Sequence, residues 1–144
     1  MVDKFNIRVY GLWIDGTKVL IADEQMRGLQ MVKFPGGGLK HGEGLLDGLR
    51  REFIEETGLE IEIQDHFYTT DYFQKSAFSD REQVVSIYYK VTSRIDQLPE
   101  KTQVGQDHHI QFKWHDINEL SADMLSFPID RHVLSLLKNT LSLK

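Results

Sequence analysis

Residues 34–58 constrain this chain more than any other segment: a glycine-rich loop runs into a helix whose carboxylates point the wrong way for a simple surface helix. Phe34-Pro35-Gly36-Gly37-Gly38 leads in, and positions 36–44 hold five glycines in nine residues. Glycine permits positive φ and a close approach of backbone to ligand. The pattern predicts a helix over Gly44–Thr57, closed by Gly58 in a left-handed conformation. At about 100° per residue, Leu45, Leu46 and Phe53 fall within about 60° of Leu49 and define the buried stripe. Glu56 then lies about 20° from Leu49, Glu52 about 60° and Glu55 about 120°. Two of these three glutamates border or enter the face that packs on the core. An unpaired buried carboxylate is costly. A hard divalent cation is the natural compensation, because magnesium takes a few protein oxygens and completes its shell with waters and substrate phosphates.

Neighbouring residues extend that pattern. Arg51 lies four residues before Glu55, so the two can pair along the helix. Its guanidinium suits a carboxylate or a phosphate equally well. Glu43 precedes the helix, where negative charge is favoured. Gly48 inside the helix costs about 0.5–1 kcal/mol relative to alanine, which points to close packing at that position.

Gly37 is followed by five residues and Glu43, and seven more lead to Arg51-Glu52-Phe53-Ile54-Glu55-Glu56-Thr57-Gly58-Leu59. This spacing resembles the Nudix box, G-x5-E-x7-R-E-U-x-E-E-x-G-U, with U a bulky apolar residue. All nine specified positions agree, over 23 of 144 residues. Phe53 fills a position more usually aliphatic, and Lys40 stands where many relatives carry glutamate. The resemblance implies an α/β/α sandwich with a mixed β-sheet. It also implies hydrolysis of the pyrophosphate bond in a nucleoside diphosphate linked to another group, with Mg2+ or Mn2+ as cofactor. By position, Glu55 and Glu56 look like the principal metal ligands, and Glu52 like a further ligand or the base that activates water. Glu43 looks like an additional ligand or a structural acceptor, and Arg51 like the residue that orients a catalytic glutamate.

The chemistry has its own logic. A diphosphate repels nucleophiles through its negative charge. A metal bridging its oxygens neutralises that charge and acidifies a bound water, and a carboxylate within reach takes the proton. Hydrolysis without a covalent enzyme intermediate is therefore expected. A nucleotide-sensing module without turnover is the alternative.

The length fits one domain spanning residues 1–144, with 40% apolar and 27% charged residues as in soluble globular proteins. There is no cysteine, which excludes a disulfide framework, a zinc-thiolate site and a cysteine nucleophile. No apolar run approaches a membrane span, and Met1–Phe5 lacks the apolar core of a signal peptide. A cytoplasmic enzyme is expected. The net charge of −5 argues against binding long nucleic acid. A small nucleotide or nucleotide-sugar is the expected partner, with homodimerisation open.

Strands are expected at Ile7–Ile14, Lys18–Asp23, Gln30–Phe34, Ile61–Ile63 continuing through Phe67–Phe73, Val84–Val91 and Ile110–Trp114. A last helix is expected at Ile129–Lys138, with Pro128 in its first turn. Outside the box, Asp107 beside His108 and His109 is a candidate metal ligand, ahead of Glu100, Asp80 and Glu82. Gly37 and Gly38 are candidates for substrate binding through close backbone approach, and Arg8 and Lys33 for contact with its phosphates. Tyr72 is a candidate for stacking on a base, within an aromatic run that includes Tyr68, Phe73 and Phe78.

Overall fold

The computed structural model describes residues 1–95, 97–99 and 101–142. Glu100, one of the weaker acidic candidates, lies outside them. The described residues form eight strands, a short 3-10 turn at Ala122–Met124 and two helices. The strands are β1 (Lys4–Asp15), β2 (Lys18–Met26), β3 (Leu29–Lys33), β4 (Gly36–Gly38), β5 (Glu62–Thr69), β6 (Glu82–Thr92), β7 (Thr102–Gly105) and β8 (His108–Asp116). Helix α1 spans Leu45–Thr57 and helix α2 spans Pro128–Ser142.

Strand β1 organises the architecture. Along one flank it runs parallel to β6, from Lys4 opposite Glu82 to Trp13 opposite Val91. Its other flank is divided. Arg8–Tyr10 pair with β4, and only Ile14 and Asp15 pair with β2. Strand β2 meanwhile pairs with β3 and β8, and β7 extends β8. The mixed sheet therefore splays into two halves joined by a two-residue seam, and the opening between them becomes a cleft.

Alternation along β1 assigns the two helices to opposite faces. Tyr10 and Leu12 join Ile129, Val133, Leu134 and Leu137 of α2 in one buried cluster. Val9 and Trp13 join Leu49 and Phe53 of α1 in the other. The result is the expected α/β/α sandwich. Trp13 meets Trp114 edge-to-face with centroids 5.3 Å apart, so both tryptophans are packing residues.

Three expectations are corrected. Leu46 is 39% exposed rather than part of the buried stripe, because α1 presents only Gly48, Leu49, Phe53, Glu56 and Thr57 as its buried face. The strand expected through Phe67–Phe73 ends at Thr69, after two irregularities in its pairing with β6. Gly36–Gly38 is a strand, although three glycines carry no β preference; hydrogen bonds to β1 supply what propensity does not.

Phe53 explains a second glycine. A Cβ on Gly11 of β1 would stand 2.6 Å from Cε2 of the fully buried Phe53 ring. The large ring at this box position is thus matched by an absent side chain opposite. Gly11→Ala is expected to cost about 1–3 kcal/mol through overpacking. Adding Phe53→Leu should recover part of that loss, and urea denaturation of the two variants checks it.

Candidate active site

Helix α1 begins after Gly44 and ends at Gly58, whose φ of 74° places it in the left-handed region while its N–H donates to the Ile54 carbonyl. Between these caps, Arg51 is the hub. Its Nε and one terminal nitrogen donate to both oxygens of Glu43, at 2.9 and 2.7 Å. Its other terminal nitrogen donates to Glu52 Oε1 and Glu55 Oε2, each at 3.1 Å. It also reaches the Gly38 carbonyl at 3.1 Å. The Lys40 backbone N–H closes the loop onto Glu43 at 2.8 Å. Hydrogen bonds from Arg51, supported by that of Lys40, hold the Glu43 carboxyl down to about 2.

The glycines are explained by what approaches them. A Cβ on Gly37 would lie 2.7 Å from the Glu52 carboxyl, so only glycine lets that carboxylate pack against β4. A Cβ on Gly48 would meet Leu39 Cδ1 at 2.7 Å, with Glu43 Oε1 at 3.1 Å. The helix thus closes on the loop at the position where the sequence accepts a helix-weakening residue.

The splayed sheet opens a cleft of about 420 Å³ lined from both halves of the sheet and from both helices. One wall takes Arg8 and Tyr10 of β1 with Ser86 and Tyr88 of β6. The facing wall takes Glu24, Lys33 and His108, and α1 contributes Glu52 and Glu56. The segment Gln74–Phe78 and the start of α2, Phe127–Asp130, complete the lining. Glu56 is only 8% exposed, and its Oε2 has no hydrogen-bond partner among the described residues. Burial pushes its carboxyl up to about 8; Lys33 pulls against that, and Glu52, Glu24 and Glu55 add to it.

Both predicted phosphate contacts face this cleft. Lys33 is buried and donates to the Gly36 carbonyl at 3.1 Å, with Glu24 Oε1 at 3.3 Å. Arg8 donates to the Tyr10 hydroxyl at 2.6 Å. Glu55 is half exposed beside Arg51, and the Lys40 ammonium lies 3.9 Å from its other oxygen. Two predictions fall elsewhere. Asp107 is exposed in the β7–β8 turn with φ of 52°, its carbonyl accepting the Arg27 N–H. It does not line the cleft, because its role is to turn the chain. Tyr72 sets its ring edge-on to His132 of α2, 5.9 Å between centroids, and also stands outside the lining. Asp80 pairs with Lys75 at the surface.

The sequence reading missed Glu24 and Asp130, and it named His108 only as a neighbour of Asp107. Glu24 is 7% exposed and hydrogen-bonds His108 with the oxygen that Lys33 leaves free. Asp130 accepts the Tyr88 hydroxyl, and its second oxygen is buried without a partner among the described residues. Burial pushes its carboxyl up to about 6, against the hydrogen bond from Tyr88. Acidic residues inside apolar stretches of β2 and α2 were the available signal.

The donor set fits a hard divalent ion. Glu52, Glu55 and Glu56 offer carboxylate oxygens, and the unpartnered Oε2 of Glu56 is a buried acceptor awaiting a cation. As the side chains stand, no three acidic or histidine groups among the described residues enclose an ion. Arg51 draws Glu43, Glu52 and Glu55 onto itself instead.

A family model described as NUDIX domain matches residues 4–137. The chain belongs to the Nudix hydrolase family. Over 121 residues it is 28% identical to the uncharacterized Nudix hydrolase YvcI of Bacillus subtilis (strain 168), covering 81% of this chain and 69% of that protein. Its fold is similar to a MutT protein from Methanosarcina mazei Go1, with TM-score 0.74, 17% identity and 97% of each chain covered. It is also similar to a NUDIX hydrolase from Nitrosomonas europaea, with TM-score 0.69, 21% identity, and 92% of this chain and 87% of that one covered. The reaction class is therefore pyrophosphate hydrolysis, and the box carboxylates line or border the cleft where the fold brings them.

The buried carboxyl of this Nudix box has a consequence for stability. The folded protein holds the Glu56 proton more tightly than the unfolded chain does. That contribution is full below the ordinary carboxyl value of 4.5 and is lost as pH rises toward about 8. Without metal, Glu56 should lower stability across this window by up to about 1.4 kcal/mol per pH unit. Glu56→Gln should remove that component and be the more stable form near the upper limit. Chemical denaturation of both proteins across the window measures the difference.

Proposed function

We propose that this chain is a metal-dependent pyrophosphohydrolase of a nucleotide or nucleotide-sugar, with Mg2+ or Mn2+ held by Glu52, Glu55 and Glu56. The observation that carries this reading is one cleft that combines carboxylates, cations and exposed aromatic surface. A bound divalent ion supplies charge neutralisation at the diphosphate and lowers the pKa of its water. Arg51, itself held by Glu43, sets the positions of Glu52 and Glu55. Glu52, packed on Gly37 and facing the cleft, is the acceptor for the proton of the attacking water. One water is consumed, one P–O bond of the anhydride breaks, and two phosphorylated products leave.

The cleft also accounts for the rest of the substrate. Arg8 donates to no carboxylate among the described residues and lines the cleft, which suits a phosphate oxygen. Phe78 is 62% exposed and lines the cleft, with Phe127 edge-on to it at 6.0 Å between centroids. A planar base gains stacking surface there. The segment carrying Phe78 is fixed rather than loose. Ser76 N–H donates to Glu82, Val84 N–H donates to Gln74, and the Ser76 hydroxyl accepts the Phe78 N–H. Asp130 adds a buried acceptor suited to a base N–H.

With Mg2+, release of phosphate products from a panel of nucleoside triphosphates and nucleotide-sugars is expected for at least one compound. Glu56→Gln should lower that turnover by about 100-fold or more while the protein stays folded. Turnover that survives this change, or that persists after chelation, contradicts the reading.

A further inference from the structure

Lys33 is the most unusual group in the cleft. Only 4% of it is exposed, so its ammonium has left water for a site lined by oxygen atoms. The nitrogen donates to the Gly36 carbonyl at 3.1 Å and lies 3.3 Å from Glu24 Oε1. The Tyr10 ring faces it at 5.5 Å. The other charged groups that act on it are Glu56, which attracts it, and Arg8, which repels it. A backbone carbonyl and a carboxylate at contact distance, with Glu56 lining the same cleft, are the surroundings of a bound cation, and here a side chain supplies that cation.

Two features show that the ammonium is held rather than merely trapped. Its stem rises from β3, where Lys33 pairs with Ala22 of β2, and Glu24 stands two residues along the same β2 strand. The second oxygen of Glu24 is engaged by His108 of β8, which fixes the carboxylate from the far side. Glu56 and Glu52 meanwhile line the same cleft, and Glu56 Oε2 has no hydrogen-bond donor among the described residues. The cleft thus contains more carboxylate charge than Lys33 alone can satisfy.

We infer that the Lys33 ammonium is a tethered cation that takes the place of one divalent ion in the cleft that Glu56 lines, weakening the site's hold on free metal. This rests on the metal-binding reading above. A lysine whose role is only to support the fold predicts the opposite sign, because its loss would loosen the carboxylates and weaken metal binding.

The test is Mn2+ binding to the purified protein, followed by the electron paramagnetic resonance signal of the free ion. Removing a positive charge next to a divalent ion should tighten binding by about tenfold or more in Lys33→Gln. Lys33→Arg, still a cation, should keep the wild-type affinity. Lys33→Met, which keeps an unbranched chain without charge, should also tighten binding and replaces Lys33→Gln if that variant does not fold. Unchanged or weaker binding in a folded neutral variant, with wild type binding Mn2+, overturns the tethered cation and leaves the metal reading intact. No binding by wild type or by any variant overturns both. Binding by the neutral variants alone supports the tethered cation in its strongest form.

Discussion

The Arg51 guanidinium gathers oxygens of Glu43, Glu52, Glu55 and Gly38 around one planar group, and the site depends on that convergence. Three carboxylates on adjacent helical turns and loop would repel one another in a half-buried setting. A fork of five donors satisfies them from one direction and fixes where each points. The same guanidinium ties the loop to the helix through Gly38 and Glu43, so the glycine segment is held in register with the carboxylates. Glu56 is the exception. It faces the core side of α1, beyond Arg51, and keeps an oxygen with no donor among the described residues. A bound cation would satisfy that unmet acceptor.

The sheet turns this helix into part of a cleft. Because β1 pairs with β2 over only two residues, the two halves diverge and expose the faces of β1, β2 and β6 that would otherwise stack. Strand β4 lies in the opening, and its lack of side chains lets Glu52 approach to van der Waals contact. Lys33, immediately before the turn into β4, fills the inner side with positive charge. Tight packing elsewhere supports the arrangement: Phe53 fills the space that Gly11 leaves, and Gly48 lets Leu39 and Glu43 close on the helix.

Much of this is legible in the sequence, for a physical reason. The box residues act locally, within a loop and a helix of fixed period, so spacing alone places Arg51, Glu52, Glu55 and Glu56 relative to one another. The left-handed Gly58 and the close packing at Gly48 are legible in the same way. Periodicity marks the strands that carry β-branched and aromatic residues, but it passes over β4, which has no side chains, and β7, which is short and polar. What sequence does not carry is the meeting of distant strands. Glu24 and His108 are 84 residues apart and come together only because β2 pairs with β8. Asp130 reaches Tyr88 across 42 residues in the same fashion. Tyr72, read as a base contact, and Asp107, read as a metal ligand, stand outside the cleft lining for the same reason. Each residue type suits the role, but the fold turns one toward His132 and leaves the other exposed in a turn.

The measurement that tests the central claim most directly is magnesium-dependent hydrolysis and Mn2+ affinity in Arg51→Lys. Lysine keeps the positive charge but cannot span Glu43, Glu52 and Glu55 together. The folded variant should lose about 10- to 100-fold in metal affinity and activity, with its melting behaviour little changed. Wild-type affinity and turnover in Arg51→Lys would show that the carboxylates need only a nearby charge, and would contradict an account built on their convergence on one guanidinium.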